Sequence, residues 1–163
     1  MADKPILEKT FNEDLNVDEK LNEGGILSRL YLEVQGNDKE AAKKALENAV
    51  FEKMQFEEDF YLLEVRMFDL MKEEKQEYYS GVVEVRCLAR DFRTFLKVIM
   101  RYGPTAIEIL HPEELTLSSD EMHSIVADVS DFVQAYFANL FSMMKDEERV
   151  ALYRKMLGSS EAK

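Results

Sequence analysis

The chain of 163 residues carries 33 Asp and Glu residues against 21 Lys and Arg, which gives a formal net charge of −12. Its length favours a single globular domain, and its acidic balance opposes contact with many phosphates, so we expect no nucleic-acid partner. No apolar run approaches the roughly 20 residues that a membrane span requires, so we expect no membrane partner either. The single cysteine excludes an internal disulfide, and the compartment we expect is a reducing cytoplasm.

Residues 1–25 are interpreted as an acidic N-terminal arm that closes at Gly24-Gly25. The arm has few apolar residues, among them Phe11 and Leu15, and two alternatives stay open for it. It is either a solvated, partly flexible terminus, or it docks these residues on its own domain or on a neighbouring chain.

Residues 26–117 show the patterns of alternating strands and helices. An alanine-rich helical stripe follows the first strand. A second helix is expected to be capped by Asp91 and to end at Gly103, in the left-handed position. The second and third strands flank a polar turn, which predicts an antiparallel hairpin. From the alternation of apolar and polar residues, the four predicted strands cover residues 26–35, 60–71, 78–89 and 105–112.

Charged residues on the hairpin specify its register. When Glu64 faces Arg86 and Arg66 faces Glu84, both charge pairs are complementary, whereas a slip of two residues sets like charges opposite each other. A slip of one residue would turn the apolar face towards solvent. The same register pairs Leu63 with Cys87, Val65 with Val85, Met67 with Val83, Leu62 with Leu88 and Phe68 with Val82.

The element order predicts an α+β fold of the ferredoxin-like class, in which a βαββαβ unit forms a four-stranded antiparallel sheet. In this arrangement both helices cover one face, the first and third strands are central, and a long C-terminal helix is an addition. The predicted organisation is the arm (1–25), the ferredoxin-like part (26–117), a long helix or helix pair of the same domain (118–158) and a frayed tail (159–163).

Residues 83–114 comprise a strand, a helix and the sequence GPTAIEILHPEEL. This stretch resembles the ferredoxin-like C-terminal extension of WYL-type regulators, and the resemblance implies the same fold for it. The chain shows neither the DNA-binding winged helix nor the WYL module of that family, so the resemblance implies no regulator function.

A long amphipathic helix is predicted after Ser118, which forms a capping-box pattern with Glu121. Its apolar residues recur at alternating spacings of four and three, the pattern of a helix that packs on another helix. This line, the heptad seam, consists of Met122, Val126, Val129, Val133, Tyr136, Leu140 and Met143. Whether one helix continues past Lys145 or a new one starts at Asp146 is left open. We expect a dimer, with interface candidates Tyr136, Phe137, Leu140, Phe141 and Met144.

Three residues are candidate metal ligands, His111, Asp120 and His123, because imidazole and carboxylate groups together suit several transition metals. Acidic residues at a helix start are, however, explained by the helix dipole and capping alone, and without a recognised ligand spacing this structural interpretation is favoured. Cys87 lies on an apolar strand face and is expected to be buried and inert. No catalytic residue and no cofactor is predicted.

The function we expect is that of a non-catalytic α+β protein that self-associates or serves in regulation or ligand binding. The alternative is a small metal-dependent enzyme, or a metal or ligand sensor, with a site near His111 and His123. A third hypothesis is an adaptor that binds a protein partner through the acidic arm.

Overall fold

The computed structural model describes residues 4–72 and 77–158. They form a mixed α+β structure with an antiparallel sheet of six strands and five α-helices. The strands are β1 (Leu7–Thr10), β2 (Ile26–Gly36), β3 (Phe60–Met67), β4 (Met71–Lys72), β5 (Tyr79–Ala89) and β6 (Ala106–His111). The helices are α1 (Val17–Asn22), α2 (Lys39–Glu47), α3 (Phe92–Tyr102), α4 (Ser119–Met143) and α5 (Asp146–Met156). A π-helical segment (Asn48–Lys53) and a 3-10 turn (Met54–Phe56) continue the path of α2.

The chain divides into two compact units, Met1–Ser118 and Ser119–Lys163. The first contains the sheet with α1, α2 and α3, and the second contains α4 and α5. The long helix does not continue past Lys145, because Lys145 is the N-cap residue of a separate helix, α5. The predicted tail at residues 159–163 lies outside the described residues.

The sheet has the strand order β1-β3-β5-β2-β6, and β4 pairs with β5 on the side of β3. The pairs β1–β3, β3–β5, β5–β2 and β2–β6 are all antiparallel. The two strands of 11 residues, β2 and β5, are adjacent at the centre of the sheet. They correspond to the first and third strands predicted from the sequence.

The core lies on one face of the sheet, beneath α2, the π-helical segment and α3. Rows of apolar side chains cross the three inner strands here, and Val65, Val85 and Leu30 form a row in which each side chain has 0% exposure. Burial of each such side chain stabilises the fold by roughly 1.5–3 kcal/mol. The helical layer adds Leu46, Val50, Met54, Phe95 and Val98 to the same cluster.

The hairpin register predicted from charge is confirmed over the second half of β3. Glu64 faces Arg86, and Arg66 faces Glu84. Both charge pairs therefore lie on the outer face of the sheet, opposite the helices.

The register is wrong at the start of β3, where a β-bulge lies between Leu62 and Glu64. Leu62 rather than Leu63 is opposite Cys87, and Tyr61 takes the place opposite Leu88. The apolar residues at positions 60 and 62 are out of phase with those at 65 and 67. One extra residue at the bulge lets both apolar pairs point into the core.

Two arginines organise the ion pairs of the outer face. Arg66 contacts Glu8 at 2.9 Å, Glu64 at 2.5 Å and Glu84 at 3.6 Å. Arg29 contacts Glu84 at 3.2 Å and Glu108 at 3.0 Å. Because these pairs are partly exposed, they stabilise the fold little, and their main effect is on strand register.

The N-terminal arm supplies β1 and α1, which is the docked alternative of the two considered for it. β1 pairs with β3, and Phe11 stacks on Phe51 of the π-helical segment at 6.0 Å between ring centroids. The expected caps of α3 are also confirmed, since the Thr94 amide donates to the Asp91 side chain at 2.8 Å and Gly103 has φ of 55°.

Gly25 joins α1 to β2 and has no room for a side chain. A Cβ there would lie 2.7 Å from the Lys20 carbonyl oxygen and 3.3 Å from that of Ala89, and both are backbone atoms that no rotamer change can move. We expect Gly25→Ala to lower the free energy of unfolding by about 1–3 kcal/mol, measured by urea denaturation. The matched control at the exposed Asn22, Asn22→Ala, is expected to change it by less than about 0.5 kcal/mol. Equal losses in the two variants would contradict this account of Gly25.

Candidate functional site

The candidate functional site is the apolar face of α4, because most of the heptad seam is exposed to solvent. Val126 is 67% exposed, Tyr136 56% and Met143 83%. Neither α4 nor α5 contains a buried residue. The two helices by themselves therefore leave the heptad seam without a packing partner.

An aromatic ladder runs along the second half of α4 and continues into α5. Successive ring pairs have centroid distances of 6.4 Å (Phe132 and Tyr136), 6.3 Å (Tyr136 and Phe137) and 6.0 Å (Phe137 and Phe141). The last step, from Phe141 to Tyr153 of α5, is the closest at 5.0 Å with nearly parallel rings. Such ring pairs add roughly 0.5–1.5 kcal/mol beyond area burial, so the ladder fixes α5 against the end of α4.

The break between α4 and α5 has its own polar support. Arg149 Nε donates to the Phe141 carbonyl oxygen at 2.8 Å and so satisfies one of the last carbonyl groups of α4. The Lys145 amide donates to the Glu148 carboxylate at 2.9 Å, which caps the start of α5. These two hydrogen bonds stabilise the turn between the helices.

Charge is distributed unevenly along α4. The helix contains no Lys or Arg, and its four acidic residues lie in its first half, at Asp120, Glu121, Asp128 and Asp131. Residues 132–144 carry no charged side chain, and the five residues after them, 145–149, are all charged, two of them basic and three acidic. None of the helices in the described parts of the chain combines the length and apolar character of a membrane-spanning helix.

The predicted interface candidates differ in their exposure to solvent. Tyr136 is exposed, whereas Phe137, Leu140, Phe141 and Met144 are half-buried. Phe141 is partly covered by Tyr153. The exposed members of the heptad seam are therefore better placed to meet another surface than Phe141 is.

The predicted metal ligands lie on two different elements. His111 ends β6, and Asp120 and His123 lie in the first turns of α4, all three with exposed side chains. In residues 4–72 and 77–158, no group of three or more His, Cys, Asp or Glu side chains is arranged to hold a metal ion.

Cys87 is buried in the core, opposite Ser28 on β2. The Ser28 hydroxyl and the Cys87 thiol are 3.2 Å apart, and the two groups satisfy each other. Burial raises the pKa of the thiol to about 12, and the hydrogen bond with Ser28 opposes this shift only in part.

One polar cluster gave no signal in the sequence. Arg101 Nη1 donates to both carboxylate oxygens of Glu57, at 2.6 and 2.5 Å, and the Tyr102 hydroxyl donates to Glu57 at 2.7 Å. Burial would raise the pKa of Glu57, but the Tyr102 and Arg101 contacts outweigh it and hold that pKa below its ordinary value. Glu57 follows the 3-10 turn and its partners end α3, so only the fold brings them together.

The reactivity of Cys87 tests the burial of the core. Since the thiolate is the reactive form, we expect the folded protein at about pH 8 to react with Ellman's reagent on the order of a thousandfold more slowly than the protein unfolded in guanidinium. An unfolded thiol ionises near pH 8.5, so the free energy of unfolding is expected to fall as the pH rises from about 8.5 towards 12. A folded protein that reacts as fast as the unfolded one would contradict both expectations.

Comparison with known proteins gives one curated relative. An uncharacterized protein, MJ0538, of Methanocaldococcus jannaschii is 27% identical over 97 residues, which cover 58% of this chain and 35% of the relative. The chain thus spans about a third of the length of the relative that it matches. No solved structure matches the chain.

The family comparison covers more of the chain. The model of the MJ0538 family matches residues 28–157, which include the sheet from the third residue of β2 onwards and both C-terminal helices. The resemblance of residues 83–114 to WYL-type regulators finds no support in these matches. From this extent of agreement, the chain belongs to the MJ0538 family.

Proposed function

We propose that this protein is a non-catalytic, self-associating α+β protein of the cytoplasm, in which the exposed heptad seam of α4 binds α4 of a second copy. The single observation that carries the proposal is the exposure of the heptad seam, from Met122 to Met143, along a helix of 25 residues. Apolar surface of this extent, left in water, favours association.

The sheet supports a finer description of the first unit as ferredoxin-like. Its βαββαβ elements are β2, α2, β3, β5, α3 and β6, and their pairing order is β3-β5-β2-β6. β1 then extends the sheet beyond β3. In this description α4 and α5 are additions that form the second unit.

A second copy is the occupant that the sequence of α4 favours. A strict alternation of spacings of four and three over the whole heptad seam is the requirement for packing against another helix with the same repeat. A sheet or an irregular loop imposes no such repeat. Isologous pairs are also the commonest assemblies of soluble proteins.

Charge favours an antiparallel pair. In a parallel pair, the four acidic residues of one α4 would run beside the same four residues of the other. In an antiparallel pair with Val133 opposite Tyr136 of the second copy, the acidic residues Asp128 and Asp131 lie along the uncharged second half of the other α4. This arrangement separates the acidic residues of the two α4 helices.

The remaining chemistry supports a non-catalytic role in a reducing compartment. The thiol of Cys87 is buried and keeps its proton at neutral pH, so it is no nucleophile. A lone reduced cysteine suits the cytoplasm, where thiols persist without forming disulfides.

Light scattering coupled to gel filtration at low micromolar concentration tests the assembly. We expect the wild-type chain at twice its 19.0 kDa mass. Tyr136→Lys is expected to weaken the dimer by at least about thirtyfold, the equivalent of about 2 kcal/mol, because a charge replaces a central apolar contact. Ala138→Lys adds the same charge about 200° further around the helix, on the opposite face, and is expected to leave the dimer intact.

Three outcomes would overturn this assignment. A wild-type monomer would remove the dimer, and a Tyr136→Lys dimer would place the interface elsewhere. Equal dissociation by the two lysine variants would mean that net charge, rather than the heptad seam, controls association. Far-UV circular dichroism checks that both variants keep their helices.

Cross-linking tests the direction of the pair. With Val133 opposite Tyr136 of the second copy, Val126 lies opposite Met143 of the second copy. We expect proteins carrying Val126→Cys and Met143→Cys to form a disulfide with each other when mixed under mild oxidation, and neither to cross-link efficiently with itself. A parallel pair would give the opposite pattern, which would overturn the antiparallel arrangement.

A further inference from the structure

Part of the central strand β2 has an open edge. β6 pairs with β2 only as far as Tyr31, where both the amide and the hydroxyl of Thr105 donate to the Tyr31 carbonyl oxygen, at 2.8 and 3.1 Å. No described strand pairs with β2 beyond this point on that side, although β2 continues to Gly36. Because backbone groups alternate along a strand, the N–H and C=O of Glu33 point towards the same side as those of Tyr31.

A cavity of about 330 Å³ lies against this open edge. Its apolar lining comes from the strand and from α2 and the π-helical segment, and small residues face it on the helical side. The apolar lining residues are Leu32, Val34, Ala45, Leu46 and Ala49. The volume is at the lower end of the range of small-molecule sites and corresponds to on the order of ten water molecules.

The end of α3 forms another part of the cavity wall. Arg101, Tyr102 and Gly103 line it, and Glu57 holds the first two through the hydrogen bonds described above. The αL conformation of Gly103 ends α3 at this point, where the chain turns towards β6. The wall is thus preformed, which is typical of binding sites for small molecules.

Two cationic residues and one acidic residue, Glu33, line the cavity in a protein of net charge −12, and the Glu33 carboxylate accepts a hydrogen bond from Gln35 at 3.2 Å. Arg101 uses one guanidinium nitrogen for Glu57, and the group has further N–H donors. Lys53 makes no side-chain hydrogen bond or ion pair with any described residue. Lys53 is the last residue of the π-helical segment. This position supports a binding role, because π-helical turns are frequent at functional sites.

We propose that this cavity binds a small organic acid with a branched or aromatic apolar body. The carboxylate binds Lys53, the apolar body rests on Leu32, Val34 and Ala49, and the open backbone of Glu33 is available for one further hydrogen bond. The site lies in the first unit and does not depend on the dimer formed by α4. It would make the protein a ligand-binding module.

The probe for the test is 4-methylpentanoate, with 4-methylpentanamide as its neutral analogue. Each is titrated into the full-length 15N-labelled protein while amide resonances are recorded. We expect the acid to shift the resonances of Leu32, Ala49 and Gly103 saturably in the millimolar range, and the amide to bind at least about fivefold more weakly. Inorganic phosphate, which has the charge without the apolar body, is also expected to bind at least about fivefold more weakly.

Three variants assign the binding to the cavity. Lys53→Met is expected to lower the affinity for the acid to that for the amide and to leave the amide unaffected. Lys44→Met, at an exposed lysine of α2 outside the cavity, is expected to change neither. Ala45→Leu fills the cavity from an exposed helical position, and is expected to abolish binding of both compounds while the spectrum stays that of a folded protein.

The proposal is overturned if the acid gives no saturable shift in the wild-type protein, or if the acid, the amide and phosphate bind equally. It is also overturned if Lys44→Met weakens binding as much as Lys53→Met does. Binding that survives Ala45→Leu would place the ligand elsewhere on the surface.

Discussion

The structure depends on the position of β5 between β3 and β2, because the two faces of this strand impose two different conditions at once. On the inner face, Val85 must meet Val65 and Leu30 to close the core. On the outer face, the charge of Glu84 must meet Arg66. A shift by one residue violates the first condition and a shift by two violates the second. In this register the apolar side chains of the sheet face the helices that cover it.

The sequence predicts both conditions because successive residues of a strand point to opposite faces of the sheet. Glu64 and Arg66 predicted their partners correctly for that reason, and Asp91 and Gly103 marked the ends of α3 through local backbone chemistry. The bulge at Leu63 does not follow from a simple alternation of inward and outward side chains, which predicts one unbroken register for the whole of β3. The apolar residues lie at even positions up to 62 and at odd positions from 65, and this change is consistent with a bulge. Only packing against the helices requires both sets of apolar residues to face the core.

Other features depend on contacts between distant parts of the chain and left no local pattern. Glu57, Arg101 and Tyr102 form one cluster, yet nothing in the sequence around Glu57 indicates an arginine partner at the end of α3. The break after Met143 is similar. Residues 144 and 145 contain neither Pro nor Gly, and the turn is stabilised by Arg149 and the aromatic ladder instead. The heptad seam, in contrast, is predictable from the sequence, because apolar residues on one face of a helix recur at regular spacings of three and four.

The open edge of β2 has a physical consequence for what can bind there. An unpaired strand edge generally invites another strand, and proteins oppose this with charged side chains at the edge. Here Lys53 and Arg101 line the cavity against the open edge, and a full strand added to it would have to desolvate both cations. A small acid meets no such obstacle, because its carboxylate satisfies Lys53 and its apolar body needs only the space beside Leu32 and Ala49. The features that exclude a strand are therefore the same ones that favour a small anionic ligand.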